Sequence, residues 1–172
     1  MRFTVKTALA ASALLLLAAC GSTQEAARPC PVAVMVQDAG KLVKFRGEGR
    51  DLTDVVYEAA IEDLKYGCEY DGDEAIEMVV TVSFVAGQGP ANITDSADFT
   101  YFLAVATADR QILAREDFPV SIPFEGNLTR VRLTETLEPR IPLLQGESGP
   151  SFRVFVGLAL TEAELQYNRS RQ

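Results

Sequence analysis

The side chains of this chain that could carry out chemistry are mainly carboxylates, together with three cysteines and a small number of lysines. The 172 residues include 24 Asp and Glu but no histidine. Without histidine, neither a Ser-His-Asp triad nor a Cys-His pair can form within the chain. Ser148 lies in Gly-Glu-Ser-Gly-Pro at residues 146–150, which we interpret as a turn before a strand. A Ser-Lys arrangement stays open as the alternative, but the lysines that follow the N-terminal segment, Lys41, Lys44 and Lys65, lie in no recognised motif. The residue types therefore predict no particular catalytic set.

Carboxylates cluster in one short segment, residues 71–77. Calcium binds several oxygen ligands together, which makes Asp71, Asp73 and Glu74 a candidate calcium site. The segment lacks the continuation of an EF-hand loop. We therefore interpret it as a solvated turn, with calcium binding as the alternative, and expect neither a metal nor another cofactor.

The N-terminal segment carries the most specific motif of the chain. Arg2 and Lys6 precede an apolar run, residues 8–19, and residues 17–21 read Leu-Ala-Ala-Cys-Gly. An apolar run of about a dozen residues is typical of a signal peptide. It is shorter than the roughly 20 residues that a membrane-spanning helix needs. The motif resembles the lipobox of bacterial lipoproteins, and an unmodified secreted protein is the alternative.

The lipobox resemblance implies how the chain is processed and anchored. The signal peptide is residues 1–19, Cys20 becomes the lipidated N-terminus, and residues 20–29 form a polar tether. Stable attachment needs more than one acyl chain, since each buried methylene contributes only ~0.8 kcal/mol. Gly21, where some lipoproteins have Asp, resembles lipoproteins that are sent to the outer membrane. We expect a cell-envelope protein on the outer membrane, facing the periplasm.

The same resemblance bears on the other two cysteines. With Cys20 lipidated, Cys30 and Cys68 remain in an oxidising compartment, where disulfides persist. We predict a Cys30–Cys68 disulfide, with two free thiols as the alternative. The two residues lie 38 positions apart, and closing such a loop stabilises a fold by roughly 4 kcal/mol. Two cysteines without histidine make a poor zinc site.

The charge of the chain bears on its partners. The formal net charge is −8, and it becomes more negative once Arg2 and Lys6 leave with the signal peptide. An acidic protein is repelled by phosphate backbones, so we expect no nucleic-acid partner. Attachment to a membrane then depends on the lipid rather than on a basic patch.

The remaining chain, residues 30–172, has the pattern of one all-β domain. Residues 76–84 alternate between apolar and polar with a period of two. Residues 99–106 are apolar on both faces, as in a central strand, although the aromatic residues among them could instead form a binding face. Turns rich in Gly, Pro and Asp separate the strands. We predict an immunoglobulin- or fibronectin-III-like β-sandwich of about seven or eight strands.

Two segments of the sequence have patterns that fit a helix. Thr161 and Glu164 form a capping-box pattern, which predicts a short C-terminal helix through Tyr167. Residues 52–66 are ambiguous, because their apolar residues fit either a helical stripe or a strand with Val55, Tyr57, Ala59 and Ile61 on its inner face. A turn at residues 71–73 and a strong strand follow directly, so we favour a strand in a hairpin and keep the helix as the alternative.

A second resemblance covers most of the domain. The segments on which this resemblance rests are Arg-Asp-Leu-Thr-Asp at 50–54, Gly-Cys-x-Tyr at 67–70, Gly-Pro-Ala at 89–91 and Leu-x-Tyr-Asn-Arg at 165–169. These loose motifs resemble small lipoproteins of alphaproteobacteria. The resemblance implies an envelope location and no particular activity.

Three functional hypotheses follow from the sequence. The first is a non-enzymatic structural or interaction module of the envelope that docks another envelope protein through its sheet edges or loops. The second is a module that binds a small molecule or glycan in a concave pocket. The third is an enzyme that uses a pair of carboxylates, which would need two facing carboxyl groups with perturbed pKa values.

Overall fold

The computed structural model describes residues 28–171, which form two β-sheets and one helix. Within this range nine strands follow in order: β1 Val32–Met35, β2 Lys41–Phe45, β3 Val55–Asp71, β4 Ala75–Gln88, β5 Ser96–Thr107, β6 Ile112–Pro123, β7 Arg130–Leu137, β8 Arg140–Pro142 and β9 Phe152–Leu158. The helix α1 is Glu162–Arg169. No helix in residues 28–171 has the length and apolar character needed to cross a bilayer.

The strands are divided between two sheets, which we name after their central strands. The β5 sheet has the order β1-β9-β5-β6, and the β4 sheet has the order β2-β3-β4-β7, with β8 also paired to β4. The β1–β9 pair is parallel and the other pairs are antiparallel. This confirms the predicted all-β sandwich with a short C-terminal helix, with nine strands instead of seven or eight.

The core lies between the inner faces of the two sheets. On β4 every second residue from Ile76 to Phe84 is fully buried, which confirms the period-two pattern. The Phe84 ring lies 4.8 Å from the Tyr101 ring and 5.5 Å from the Phe99 ring of the opposite sheet. Phe99 and Tyr101 therefore belong to the core, whereas Phe102 is half-buried and lies under Arg115.

The ambiguous segment is a strand from Val55 onward, after a single 3-10 turn at Leu52–Asp54, so the α-helical alternative is wrong. Val55, Tyr57, Ala59 and Ile61 are buried, as the strand interpretation requires. The reason is long-range pairing: β3 pairs with β4 from Tyr57 to Asp71, and cross-strand contacts override a helical side-chain pattern. A register shift between Ile61 and Asp63 marks a β-bulge within β3, and bulges bend a strand locally.

The C-terminal helix covers the edge of β2. The predicted capping box is present between Thr161 and Glu164, and the helix extends two residues beyond the predicted end. Burial acts to raise the pKa of Glu164, but hydrogen bonds from Thr161 and Lys44 lower it overall. The Asn168 amide donates to the carbonyl oxygens of Asp38 (2.9 Å) and Lys41 (2.7 Å). These contacts attach α1 to the start of β2.

The beginning of the described chain is attached to the β3–β4 hairpin. Cys30 and Cys68 form the predicted disulfide. The Tyr70 hydroxyl donates to the Pro29 carbonyl at 2.7 Å and accepts from the Gly149 amide at 2.7 Å, while the Arg28 guanidinium lies 3.7 Å from the centre of the Tyr70 ring. Contacts with the sandwich thus begin two residues before the predicted domain boundary at residue 30. Residues 1–27, with the lipobox, lie outside the described residues.

Two buried tyrosines give a matched test of the core. The Tyr57 hydroxyl donates to the Asp98 carbonyl oxygen. Burial and the carboxylates of Glu164 and Asp98 raise the pKa of Tyr57 to about 12. The Tyr101 hydroxyl is buried and makes no close hydrogen bond among residues 28–171. Burial and its interaction with the Glu135 carboxylate raise its pKa well above the usual value. Both hydroxyls therefore stay protonated at neutral pH.

We expect the two Tyr-to-Phe substitutions to have different effects on stability. Tyr57→Phe removes one hydrogen bond and leaves a carbonyl unsatisfied, so it should lower the free energy of unfolding by about 1 kcal/mol. Tyr101→Phe removes a buried hydroxyl that makes no close hydrogen bond and interacts with the Glu135 carboxylate, so it should cost less than Tyr57→Phe. Denaturant unfolding of the two variants measures this. A larger loss for Tyr101→Phe than for Tyr57→Phe would contradict the assignment of the hydrogen bonds.

Candidate functional site

The candidate calcium residues do not converge on one point. Asp71 forms an ion pair with Arg140 at 2.8 Å, and Asp73 forms one with Arg28 at 3.0 Å. The Asp73 side chain is 98% exposed. Among residues 28–171, no group of three His, Cys, Asp or Glu side chains could hold a metal ion. The geometry is that of a solvated turn held by arginines, and the structure gives no support to a calcium site.

The other chemically interesting residues are also separated. Ser148 precedes a short 3-10 turn, Gly149–Ser151, that leads into β9, so the segment is the predicted turn. The pKa of Glu62 is lowered by hydrogen bonds from Arg132. The Glu62–Arg132 pair lies on the outer face of the β4 sheet. A lowered carboxyl pKa is the opposite of what a general acid needs at neutral pH.

A groove lies along the edge strand β2, and we call it the β2 groove. Its volume is about 720 Å³, within the roughly 300–1,000 Å³ of typical small-molecule sites. Its walls come from β2, β3, β4, the start of β7, the loop at residues 46–54 and the C-terminal end of α1. The groove is therefore built from segments that are far apart in the sequence.

The strand register builds the floor of the groove. Successive residues of a strand point to opposite faces, so the neighbours of the buried Ala59 and Ala86 lie on the outer face of the β4 sheet. One row across this face is Lys41, Ala60 and Val85, and the next is Val43, Glu58, Gly87 and Arg130. Ala60, Val85 and Gly87 thus form a small and apolar centre, which Glu58 adjoins on β3 and which Lys41 and Arg130 border on the outer strands. Three strand spacings separate Val43 from Arg130, about 14 Å.

Two aromatic rings and two arginines form one wall. The ring of Phe45 meets the ring of Tyr167 edge-on, with 5.1 Å between their centres. The Arg50 guanidinium lies 5.1 Å from the centre of the Phe45 ring, and that of Arg171 lies 5.2 Å from the centre of the Tyr167 ring. Cation–π contacts of this kind hold guanidinium groups in place without neutralising them.

The groove is electropositive in an acidic protein. Four cationic and two acidic side chains line it: Lys41, Arg50, Arg130, Arg171, Asp51 and Glu58. Eight ion pairs occur within residues 28–171, and none of them includes any of the four cationic residues. The chain as a whole has a formal net charge of −8. A cleft that keeps its positive charges without carboxylate partners attracts anions.

Comparison of the chain with protein-family models, curated proteins and solved structures finds no match. The interpretation of the β2 groove therefore depends on its own geometry and charge.

Sequence reasoning missed this site. Arg50 entered only as part of a resemblance, and Lys41 only as a lysine without a motif. Arg130 alternates with the inward-facing Val131, so its outward orientation was predictable. What the sequence does not contain is the sheet order that places β7 three strands from β2. That order brings Arg130 and Lys41 to the same groove.

Proposed function

We propose that the chain is a lipid-anchored, non-enzymatic binding and interaction module of the bacterial cell envelope, with the β2 groove as its binding site. The observation that carries the proposal is a set of four cationic side chains around a largely apolar floor, none of them in an ion pair with another residue of 28–171. The lipobox at Cys20 supports the anchor, and Gly21 supports an outer-membrane position facing the periplasm. The negative net charge argues against a nucleic-acid partner.

The attachment of the chain start supports a defined orientation. Arg28 and Pro29 contact the turn end of the β3–β4 hairpin, so a tether of residues 20–27 reaches at most about 28 Å from there. Along β3, eleven residues separate Ala60 in the groove from Asp71 at the turn, roughly 35 Å. The hairpin turn would face the membrane, and the groove would lie towards the opposite end.

A specific observation also favours a protein partner at that opposite end. Three loops there expose one large aliphatic side chain each: Leu52 (83% exposed), Ile93 (86%) and Leu128 (57%). Backbone hydrogen bonds from Gly89 to Val56 and from Gln88 to Thr129 hold the loops next to each other. Exposed apolar residues gathered at one end are typical of a docking surface. An envelope protein is therefore the second candidate partner.

Photo-crosslinking in cells tests the proposed function and separates the two candidates. A photoreactive residue at Lys41 samples the groove, one at Ile93 samples the loops, and one at Leu144, which is 74% exposed near the hairpin end, is the matched control. We expect light-dependent adducts at Lys41, weakened by Arg130→Gln, and none at Leu144. Equal labelling at all three positions, or none at Lys41 and Ile93, would contradict the proposal.

A further inference from the structure

We propose that the ligand of the β2 groove is an anionic amphiphile, a molecule that joins an apolar chain to a carboxylate or phosphate group. This inference rests on the proposed function, because it names the ligand class of the same site. It follows from three properties of the groove: an apolar floor, an excess of cationic side chains and a strand edge that is closed to peptides.

The floor provides the apolar part of the site. Ala60 and Val85 are paired on adjacent strands and form the apolar part of one row across the outer face. Val43 lies in the neighbouring row, and the ring of Phe45 also lines the groove. Val85 is buried although it points away from the core, which shows that side chains rise on both sides of it. An acyl chain lying along this row would be removed from water by the floor and the aromatic wall.

The cationic side chains provide the anionic specificity. Guanidinium groups bind carboxylates and phosphates through paired N–H donors. Arg130 is exposed, and its charge helps to lower the pKa of Glu62. Among residues 28–171 its side chain forms neither an ion pair nor a hydrogen bond, so its donors are available for a ligand. Glu58 occupies the same row as Arg130, and its carboxylate opposes a bound anion. Neutralising Arg130 should therefore weaken the binding of an anionic ligand, and neutralising Glu58 should strengthen it.

The edge of β2 disfavours an extended peptide as the occupant. Strand addition needs a run of free backbone groups along an edge. The Lys41 carbonyl accepts from Asn168 at 2.7 Å, and the Arg46 amide donates to Asp54 at 2.8 Å. Between them, alternate residues face alternate edges, so Val43 and Phe45 have their backbone groups on the side away from β3. The register shift between Lys44 and Phe45 interrupts this short run. Because so few backbone groups of β2 are free for strand addition, the groove suits a small ligand better than an extended peptide.

The test uses isothermal titration of a chain that starts at Gly21, so that no attached lipid competes for the groove. Residues 28–171 contain the complete core, the disulfide and the groove, and cooperative unfolding of this chain is verified first. The probes are dodecyl phosphate, dodecyltrimethylammonium and inorganic phosphate, each below its micelle concentration. We expect dodecyl phosphate to bind most tightly, with an affinity that falls as salt is raised.

Three substitutions make the test specific. Arg130→Gln should weaken dodecyl phosphate binding roughly two- to fivefold, the range expected for one exposed charge pair. Glu58→Gln should strengthen binding by a similar factor, because it removes a repelling carboxylate. Arg110→Gln, in the exposed β5–β6 turn outside the groove, changes the net charge equally and should have no effect.

Several outcomes would overturn the inference. Equal affinity for the phosphate and the ammonium amphiphile would show a purely apolar site. Equal affinity for inorganic phosphate would show a free-anion site without use of the floor. Absence of binding to all three probes would reject the ligand class. A groove-specific protein adduct at Lys41 in cells would in that case leave the proposed function standing, so the two failures can be distinguished.

Discussion

Replacement of Cys30 and Cys68 by alanine is expected to lower the free energy of unfolding by roughly 4 kcal/mol. The disulfide closes a loop with a sequence separation of 38, and its removal increases the conformational entropy of the unfolded chain. In the folded protein it attaches the start of the chain to the second half of β3. Denaturant unfolding of the double variant and of the reduced wild type should give the same loss.

Two controls make this prediction specific to the cross-link. Tyr70→Phe removes the hydrogen bonds to Pro29 and Gly149 but keeps the disulfide, so it should cost only about 1–2 kcal/mol. Dodecyl phosphate affinity should be the same in the alanine double variant under folding conditions, because the groove lies far along β3 from Cys68. Unchanged stability after removal of both cysteines would show that the disulfide contributes nothing to the fold.

Substitution of Cys20 by serine is expected to abolish lipid attachment completely. Serine has no thiol to accept a diacylglyceryl group, and the lipobox resemblance implies that cleavage depends on that modification. The variant should therefore keep residues 1–19 and take up no labelled fatty acid, as measured by metabolic labelling and electrophoretic mobility. The Cys30→Ser and Cys68→Ser variants should label like the wild type. Fatty-acid incorporation into the Cys20→Ser variant would show that the anchor is elsewhere.

Local patterns in the sequence predicted the elements that the core requires. The alternation from Ile76 to Phe84 predicted β4 because a sandwich strand with one buried face has a period of two. The inward set from Val55 to Ile61 only favoured a strand for the first half of β3, because the same residues also fit a helical stripe. Thr161 and Glu164 predicted the start of α1 because their side chains satisfy backbone groups within a few residues.

Features that depend on distant partners could not be predicted. The sheet order, in which β9 lies between β1 and β5 and β7 pairs with β4, is set by packing between segments far apart in the chain. The acidic turn at Asp71 and Asp73 suggested calcium ligands because their arginine partners, Arg140 and Arg28, were not visible locally. The β2 groove also could not be predicted, since Lys41 and Arg130 line the same groove only because of that sheet order.

The measurement that tests the account most directly is mass spectrometry of the N-terminal peptide of the protein isolated from its own membranes. If the β-sandwich presents the β2 groove from a lipid anchor, as proposed, that peptide should begin at Cys20 and carry acyl chains on its sulfur and its amine. A peptide that begins at another residue, or an unmodified Cys20, would contradict the anchored module and the envelope location together.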